Sequence, residues 1–325
     1  QAMAETLGVP GMARAQFNQL NSALLASLDG ADPTVELAIA NSLWARADIP
    51  FIPAFLDSVR AAYHAELANV DFLAPGTCAR INRWVESATR DRIKDLVKQQ
   101  DMTDDTILVL INAIYFKGKW TKTFDRENTQ DLPFTLADGS TRPHPLMSQS
   151  GSYHYYEDDQ IQAIRLPYGK GRLSMRVILP ARTSSLAELC ASLDETTWRR
   201  WNDAMVSKEG TIKLPRFKME YEAELSKPLA QLGMGIAFDR ERADFADMAT
   251  IRERICISAV RHKSFVEVNE EGTEAAAATA VVMMRVTAAM PMERFMMVVD
   301  RPFLFAICDD ESGMVLFLGG VMNPG

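Results

Sequence analysis

The stretch 107–116 constrains this chain more than any other. It is almost wholly apolar and rich in branched residues. A run of about ten such residues is roughly half of what a membrane-spanning helix needs. It reads instead as a β-strand covered on both faces, near the middle of a sheet. A covered strand needs apolar partners above and below, and the rest of the chain supplies them. Hydrophobic residues make up 47% of the 325 and charged residues 24%, globular proportions that exclude disorder and collagen-like repeats.

Other segments take their places around that strand. Residues 255–269 alternate, with Val260, His262, Ser264, Val266 and Val268 on one face and Arg261, Lys263, Phe265, Glu267 and Asn269 on the other. Further strands are expected at 35–46, 161–167, 173–180 and 210–221, the last broken by Pro215. Residues 133–145 are turn-rich. Two closing strands are expected at 295–308 and 314–322, joined by a solvated hairpin turn at Asp309-Asp310-Glu311-Ser312-Gly313. Helices are expected at 11–28, 53–68, 79–99, 185–205 and 223–232. The helix over 79–99 is the most amphipathic, with Ile81, Trp84, Val85, Ala88, Ile93, Leu96 and Val97 at spacings of three and four. Strands and helices mix without a strand-helix-strand rhythm, so the fold class is α+β with at least two sheets.

Several chemistries are excluded at this level. Lys and Arg total 35 against 43 Asp and Glu, a net charge of −8, which disfavours nucleic acid and anionic membrane as partners. Cys78, Cys190, Cys256 and Cys308 lie far apart, with no CxxC pair and no Cys/His cluster at zinc spacing. They read as buried free thiols, and no metal is expected. There is no GxSxG elbow or HExxH helix, and Gly169-Lys170-Gly171 and Gly233-Met234-Gly235 lack the third glycine of a nucleotide loop. No enzyme activity and no cofactor are expected.

One segment fits none of the expected elements. About 25 residues separate Asn269 from the strand expected near 295, and a connection longer than about 12–15 residues in a compact domain is usually functional or disordered; the stretch from Glu270 to Pro291 is apolar with few charges, which fits disorder poorly. A buried Ala-rich helix and an ordinary strand are both open readings. A third follows from detail. Gly272 can act as a hinge, and Thr273, Ala275, Ala277 and Thr279 are small and two apart, so an extended chain would present them on one face. A segment that slides between existing strands without displacing large side chains is a candidate switch.

Glu270-Glu271-Gly272-Thr273-Glu274-Ala275-Ala276-Ala277-Ala278-Thr279 resembles the hinge of inhibitory serpins, the serine protease inhibitor family. Other motifs follow in order. Asn82-Arg83-Trp84-Val85 with Thr89 and Ile93 resembles the helix across the family's main sheet. Asn112-Ala113-Ile114-Tyr115-Phe116-Lys117-Gly118-Lys119-Trp120 resembles the central strand and its exit, and Phe124, Thr129 and Phe134 keep the family's spacing. Asp300-Arg301-Pro302-Phe303-Leu304-Phe305 and Gly319-Gly320-Val321-Met322-Asn323-Pro324 resemble the closing strands.

The resemblance covers essentially the whole chain and implies a single serpin domain, residues 1–325. The implied fold is a large central mostly antiparallel sheet with further sheets, helices packed around it, and a mobile reactive loop over 270–294. It implies a monomeric suicide-substrate inhibitor of a protease, acting outside the cell or in its envelope. Glu270 would anchor the hinge with Arg216 as its basic partner, and Trp120 would line the same opening. Asn112 and His262 would gate the parting of two central strands; without the resemblance His262 reads as a satisfied core histidine. The family's spacing from Glu270 places the scissile bond at Val286-Thr287, suiting an elastase-like or subtilisin-like protease. A bond after Arg285 would suit a trypsin-like one, and Met284 is a further alternative. A non-inhibitory serpin, acting as chaperone, carrier or protease substrate, is the competing reading.

Two departures accompany the resemblance. The chain starts Gln1-Ala2-Met3-Ala4-Glu5, without an initiator Met or a signal peptide, and this start resembles the end of the family's third helix. The preceding helices are therefore expected to lie in an N-terminal piece that is missing from this chain. Residues 11–28 correspond to the helix that binds heparin in some members, and Arg14 is its only basic residue, so no heparin site is expected there.

Overall fold

The structure is a computed structural model and describes residues 2–30, 32–250, 254–272 and 294–325. The chain runs through α1 (Ala2–Thr6), α2 (Arg14–Leu28), β1 (Val35–Arg46), α3 (Pro53–Tyr63), β2 (Glu66–Val70), α4 (Thr77–Ala88) and β3 (Leu108–Gly118). It continues through β4 (Gln130–Thr135), β5 (Thr141–Glu157), β6 (Ile161–Pro167), β7 (Leu173–Pro180), α5 (Leu186–Ala191), α6 (Glu195–Ala204), β8 (Val206–Pro215) and β9 (Phe217–Glu224). It closes with α7 (Ser226–Leu229), β10 (Ala259–Val268), β11 (Phe295–Val298), β12 (Phe303–Asp309) and β13 (Val315–Val321). Two compact units result, one of Gln1–Gly30, Leu37–Phe116 and Glu220–Phe265, the other of Ala31–Glu36, Lys117–Met219 and Val266–Gly325. No helix among the described residues is long and apolar enough to cross a membrane.

The first unit is built on a five-stranded sheet in the order β2-β1-β3-β10-β9. β3 takes the centre because both its faces are apolar. Val109, Ile111, Ala113 and Tyr115 pack with Ile81 and Val85 of α4, together with Trp44 and Phe72. On the other face Leu108 and Leu110 pack with Met234, Ala237, Met248 and Ile257. That second face is half-buried at Leu110, Asn112 and Ile114 and fully buried again at Phe116. β1 pairs β2 in parallel. β10 pairs β3 in parallel, from Ala259 opposite Val109 to Phe265 opposite Tyr115, so no strand lies between them there.

Two expected helices of this unit are shorter than their periodicity. α3 stops at Tyr63, where His64 turns left-handed (φ 49°) and its N–H bonds the Arg60 carbonyl, and the chain enters β2 instead. α4 stops at Ala88 rather than 99. The Asp91 N–H reaches back to the Glu86 carbonyl (2.8 Å) and the Arg90 N–H to that of Ser87 (3.4 Å). This is a Schellman closure, with Arg90 rather than glycine in the left-handed position (φ 53°). The buried Thr89 hydroxyl bonds the Val85 carbonyl at 2.7 Å, also drawing the backbone out of register. Ile93, Leu96 and Val97 are nevertheless buried on the sheet. The apolar spacing therefore identified the contacts but not the conformation.

The second unit holds a sheet in the order β11-β8-β5-β6-β7-β12-β13, with β4 also paired to β5. The turn-rich segment 133–145 is a β4–β5 ladder in which Pro133 faces Pro143. The expected helix over 185–205 is two, each started by its own cap: Ser185 accepts the Glu188 N–H and Asp194 the Thr197 N–H. The expected strand over 295–308 is also two. β11 pairs β8 in parallel, while β12 lies between β7 and β13. Phe295 stacks on Tyr155 at 4.0 Å, and a Cβ at its ladder partner Gly210 would stand 2.3 Å from its ring. The hairpin turn after β12 is present but only partly solvated: Glu311, Ser312 and Gly313 are exposed, and the two aspartates are not. Asp309 is fully buried against Arg172 (2.8 Å), and Asp310 meets Arg165 and Arg176, each at 2.5 Å. All four cysteines are free; Cys256 and Cys308 are buried, Cys78 is half-buried and Cys190 is exposed.

Candidate functional site

β10 ends at Val268, and the chain reverses at once. The Asn269 N–H bonds the Gly272 carbonyl (2.8 Å), the Gly272 N–H bonds the Asn269 carbonyl (3.2 Å), and the Asn269 side chain accepts the Glu271 N–H (3.1 Å). The reversal is strapped to the chain leaving β3. Trp120 N–H donates to the Glu271 carbonyl (2.9 Å), and Phe124 N–H to that of Glu270 (2.8 Å). Gly272 lies so close that a Cβ would stand 2.0 Å from the Gly118 carbonyl oxygen, and its φ of 129° suits only glycine. Close approach, beyond hinge freedom, therefore dictates this glycine.

Glu270 is buried at 2% exposure inside this strap. Arg216 lies just past the end of β8 and donates to both its oxygens, Nε at 2.8 and 2.9 Å and Nη2 at 2.5 Å. The Thr129 hydroxyl donates a further bond at 2.5 Å. Burial would raise the Glu270 pKa. The bonds from Arg216 and Thr129 outweigh it and hold the carboxyl below its ordinary range. Trp120 stacks flat on Tyr168 at 4.4 Å, and its ring N–H donates to the Asn269 carbonyl at 2.9 Å. Glu271 pairs with Arg126 at 2.8 Å.

In the first unit, the parallel register sets Asn112 beside His262. His262 Nδ1 and Asn112 Oδ1 are 2.8 Å apart, and Asn112 Nδ2 donates to Asn41 Oδ1 at 2.8 Å. An amide oxygen only accepts, so His262 carries its proton on Nδ1. Burial pushes the His262 pKa down, so the ring is neutral at pH 7. A polar row thus ties β1, β3 and β10 together on the half-buried face. It continues from Asn41 to the Tyr63 carbonyl (3.4 Å) and from the Tyr63 hydroxyl to Asn18 (3.0 Å).

Glu270, Arg216 and Trp120 are thus brought together in one unit, and Asn112 and His262 in the other. Thr273–Thr279 of the hinge and the cleavage candidates Met284, Arg285, Val286 and Thr287 lie outside the described residues. Residue-by-residue reading gave no role to Thr129 or Asn41. A hydroxyl or amide bonding across more than 70 positions leaves no local pattern, although Thr129 at least stood at the family's spacing.

A family model described as Serpin (serine protease inhibitor) matches residues 1–324. The leukocyte elastase inhibitor of Equus caballus is 39% identical over 298 residues, 89% of this chain and 78% of that relative. Serpin-Z1C of Triticum aestivum is 38% identical over 299 residues, 89% of this chain and 74% of that relative. Among solved structures, the thermophilic serpin Tengpin in its native state has a TM-score of 0.90 at 27% identity, covering 99% of this chain and 82% of Tengpin. Human thyroxine-binding globulin complexed with thyroxine has a TM-score of 0.87 at 26% identity, covering 99% and 85%. With the family match running from residue 1 to 324 and the fold shared at that level, this chain belongs to the serpin family.

Proposed function

We propose that the chain is a suicide-substrate inhibitor of a serine endopeptidase, acting through cleavage of the segment after Gly272 and its entry between β3 and β10. The observation that carries this reading is the direct parallel pairing of those two strands. Two parallel neighbours present edges of the same direction, so one new strand can pair antiparallel to both. The reversal at Asn269–Gly272 sends the chain back in that direction. The small residues Thr273, Ala275, Ala277 and Thr279 would pass without a large side chain to seat.

The energetics follow from backbone pairing. A strand of about a dozen residues gains a similar number of hydrogen bonds, on the order of 10 kcal/mol at about 1 kcal/mol each. An acyl-enzyme carried with that strand has its active site distorted. Each ~1.4 kcal/mol lost from transition-state binding slows deacylation about tenfold.

The test is incubation with an elastase-like protease followed by denaturing gel electrophoresis. A complex that survives denaturation is expected, with mass spectrometry finding a released fragment that starts at Thr287. A start at Val286 moves the bond to Arg285 and the target class to trypsin-like. The cleaved protein should melt at a higher temperature than the intact one. Complete loop turnover with no complex and an unchanged midpoint would establish the competing reading, a non-inhibitory carrier or substrate. The likeness to a thyroxine-bound globulin favours that alternative, and the small hinge side chains oppose it.

A further inference from the structure

Arg216 is the single residue between β8 and β9, and its guanidinium holds Glu270. What fixes Arg216 itself lies on β5. The β5–β8 ladder ends with Leu146 opposite Pro215, and one step further the Arg216 N–H donates to the Pro145 carbonyl at 3.1 Å. In an antiparallel pair of this kind the opposite residue returns a second bond from its own N–H. Proline has none, so the Arg216 carbonyl loses its ladder donor. The residue before the proline supplies one. His144 Nε2 lies 2.6 Å from the Arg216 carbonyl oxygen. A carbonyl only accepts, so Nε2 carries a proton and donates it. His144 is 8% exposed and its ring packs edge-on against Phe134 at 6.3 Å. On another side a Cβ at Gly325 would stand 3.6 Å from Cε1. The ring has little room to turn.

We propose that His144 is a positioning residue of the hinge: its ring replaces the N–H that Pro145 lacks, and so fixes the Arg216 main chain where the guanidinium meets both oxygens of Glu270. It acts through Arg216. Nε2 donates whether the ring is neutral or protonated, so the bond does not depend on the ring's charge. The importance of His144 for trapping rests on the proposed inhibitory reading; its hold on Arg216 does not.

The experiment follows the Glu270 carboxyl of the intact chain by NMR of its labelled carbon as pH is lowered. His144→Leu has no donor, and the amide of His144→Asn stops short at the Nδ1 position. Both should raise the Glu270 midpoint by about half a pH unit, or about threefold in the proton equilibrium. His144→Gln brings an amide N–H to the Nε2 position and should titrate like the wild type. Because Gln carries no charge, that match also excludes a field effect of a protonated ring. In an Arg216→Met background His144→Leu should add nothing. Pro145→Ala restores the backbone N–H and should return His144→Leu to the wild-type midpoint. A Gln variant shifted as far as the Leu variant, or a Leu shift that persists without Arg216, would overturn the assignment. If the Leu variant does not fold, the contrast between Gln and Asn decides. A wild type that gives this pattern but forms no complex with protease would remove the inhibitory reading and leave the role of His144 standing. Trapping by the wild type with one Glu270 midpoint in every His144 variant would do the reverse.

Discussion

The turn at Glu270 and the seam at Asn112–His262 are both closed by side-chain hydrogen bonds, but with different chemistry. The turn is closed by ions: a carboxylate at 2% exposure receives four bonds, three of them from a guanidinium. The seam is closed by neutral groups, an amide between an imidazole and a second amide. Charge-assisted bonds are roughly twice as strong as neutral ones and costly to leave half-made. The turn is thus built to stay, while the seam can part, since its neutral groups lie on a half-buried face.

The sharpest way to break the contrast is Gly272→Ala. The added methyl collides with the Gly118 carbonyl and the backbone of Lys119 and Trp120. A loss of about 3 kcal/mol or more is expected in urea unfolding, whereas an alanine that costs nothing would show that the turn is not held tightly.

Arg216→Met comes next. It leaves Glu270 with Thr129 alone, and should cost about 2 kcal/mol, less than for a fully buried pair because the Arg216 side chain keeps 43% exposure. The sign with pH follows from the lowered Glu270 pKa. Its contribution is present above the ordinary value of 4.5 and is lost as pH falls through the depressed folded value. The gap between wild type and variant should therefore narrow in acid; a gap unchanged down to pH 3 would remove the ionic account.

The smallest effect is expected at the seam. The folded His262 pKa lies below 6.5, so the unfolded chain binds its proton first. The histidine's contribution is intact above pH 6.5 and is lost as pH falls through the folded value. His262→Gln keeps a donor for Asn112 but does not titrate. It should change stability by under about 1 kcal/mol at pH 7.5 and flatten the wild-type decline in melting midpoint between pH 7 and 5. An equal decline in both proteins would show that another group titrates there.

These contrasts also mark what the sequence could disclose. β6 and β7 run over the residues their apolar spacing indicates, because Gly169-Lys170-Gly171 and Pro180 bound them on the chain itself. α4 was overextended because Ile93, Leu96 and Val97 keep helical spacing while two left-handed residues break the helix, and Arg90 and Asp91 carry no breaker signal. β11 and β12 read as one strand because Phe295 to Val299 is continuously apolar and the break at Asp300-Arg301-Pro302 was passed over, although it ends one strand before the next pairs to different neighbours. At the site, Glu270 and Arg216 came from family likeness rather than spacing. The buried Asp309 looked like a surface turn because its partner, Arg172, lies 137 positions away.

The ring of Phe295 fills the space where a side chain at position 210 would begin. Neither residue is therefore free to drift alone: as long as an aromatic ring stands at 295, any replacement at 210 meets an occupied volume. Among descendants of this chain the two positions should change as a linked couple, with the smaller partner at 210 admitting a side chain only where 295 has first shrunk.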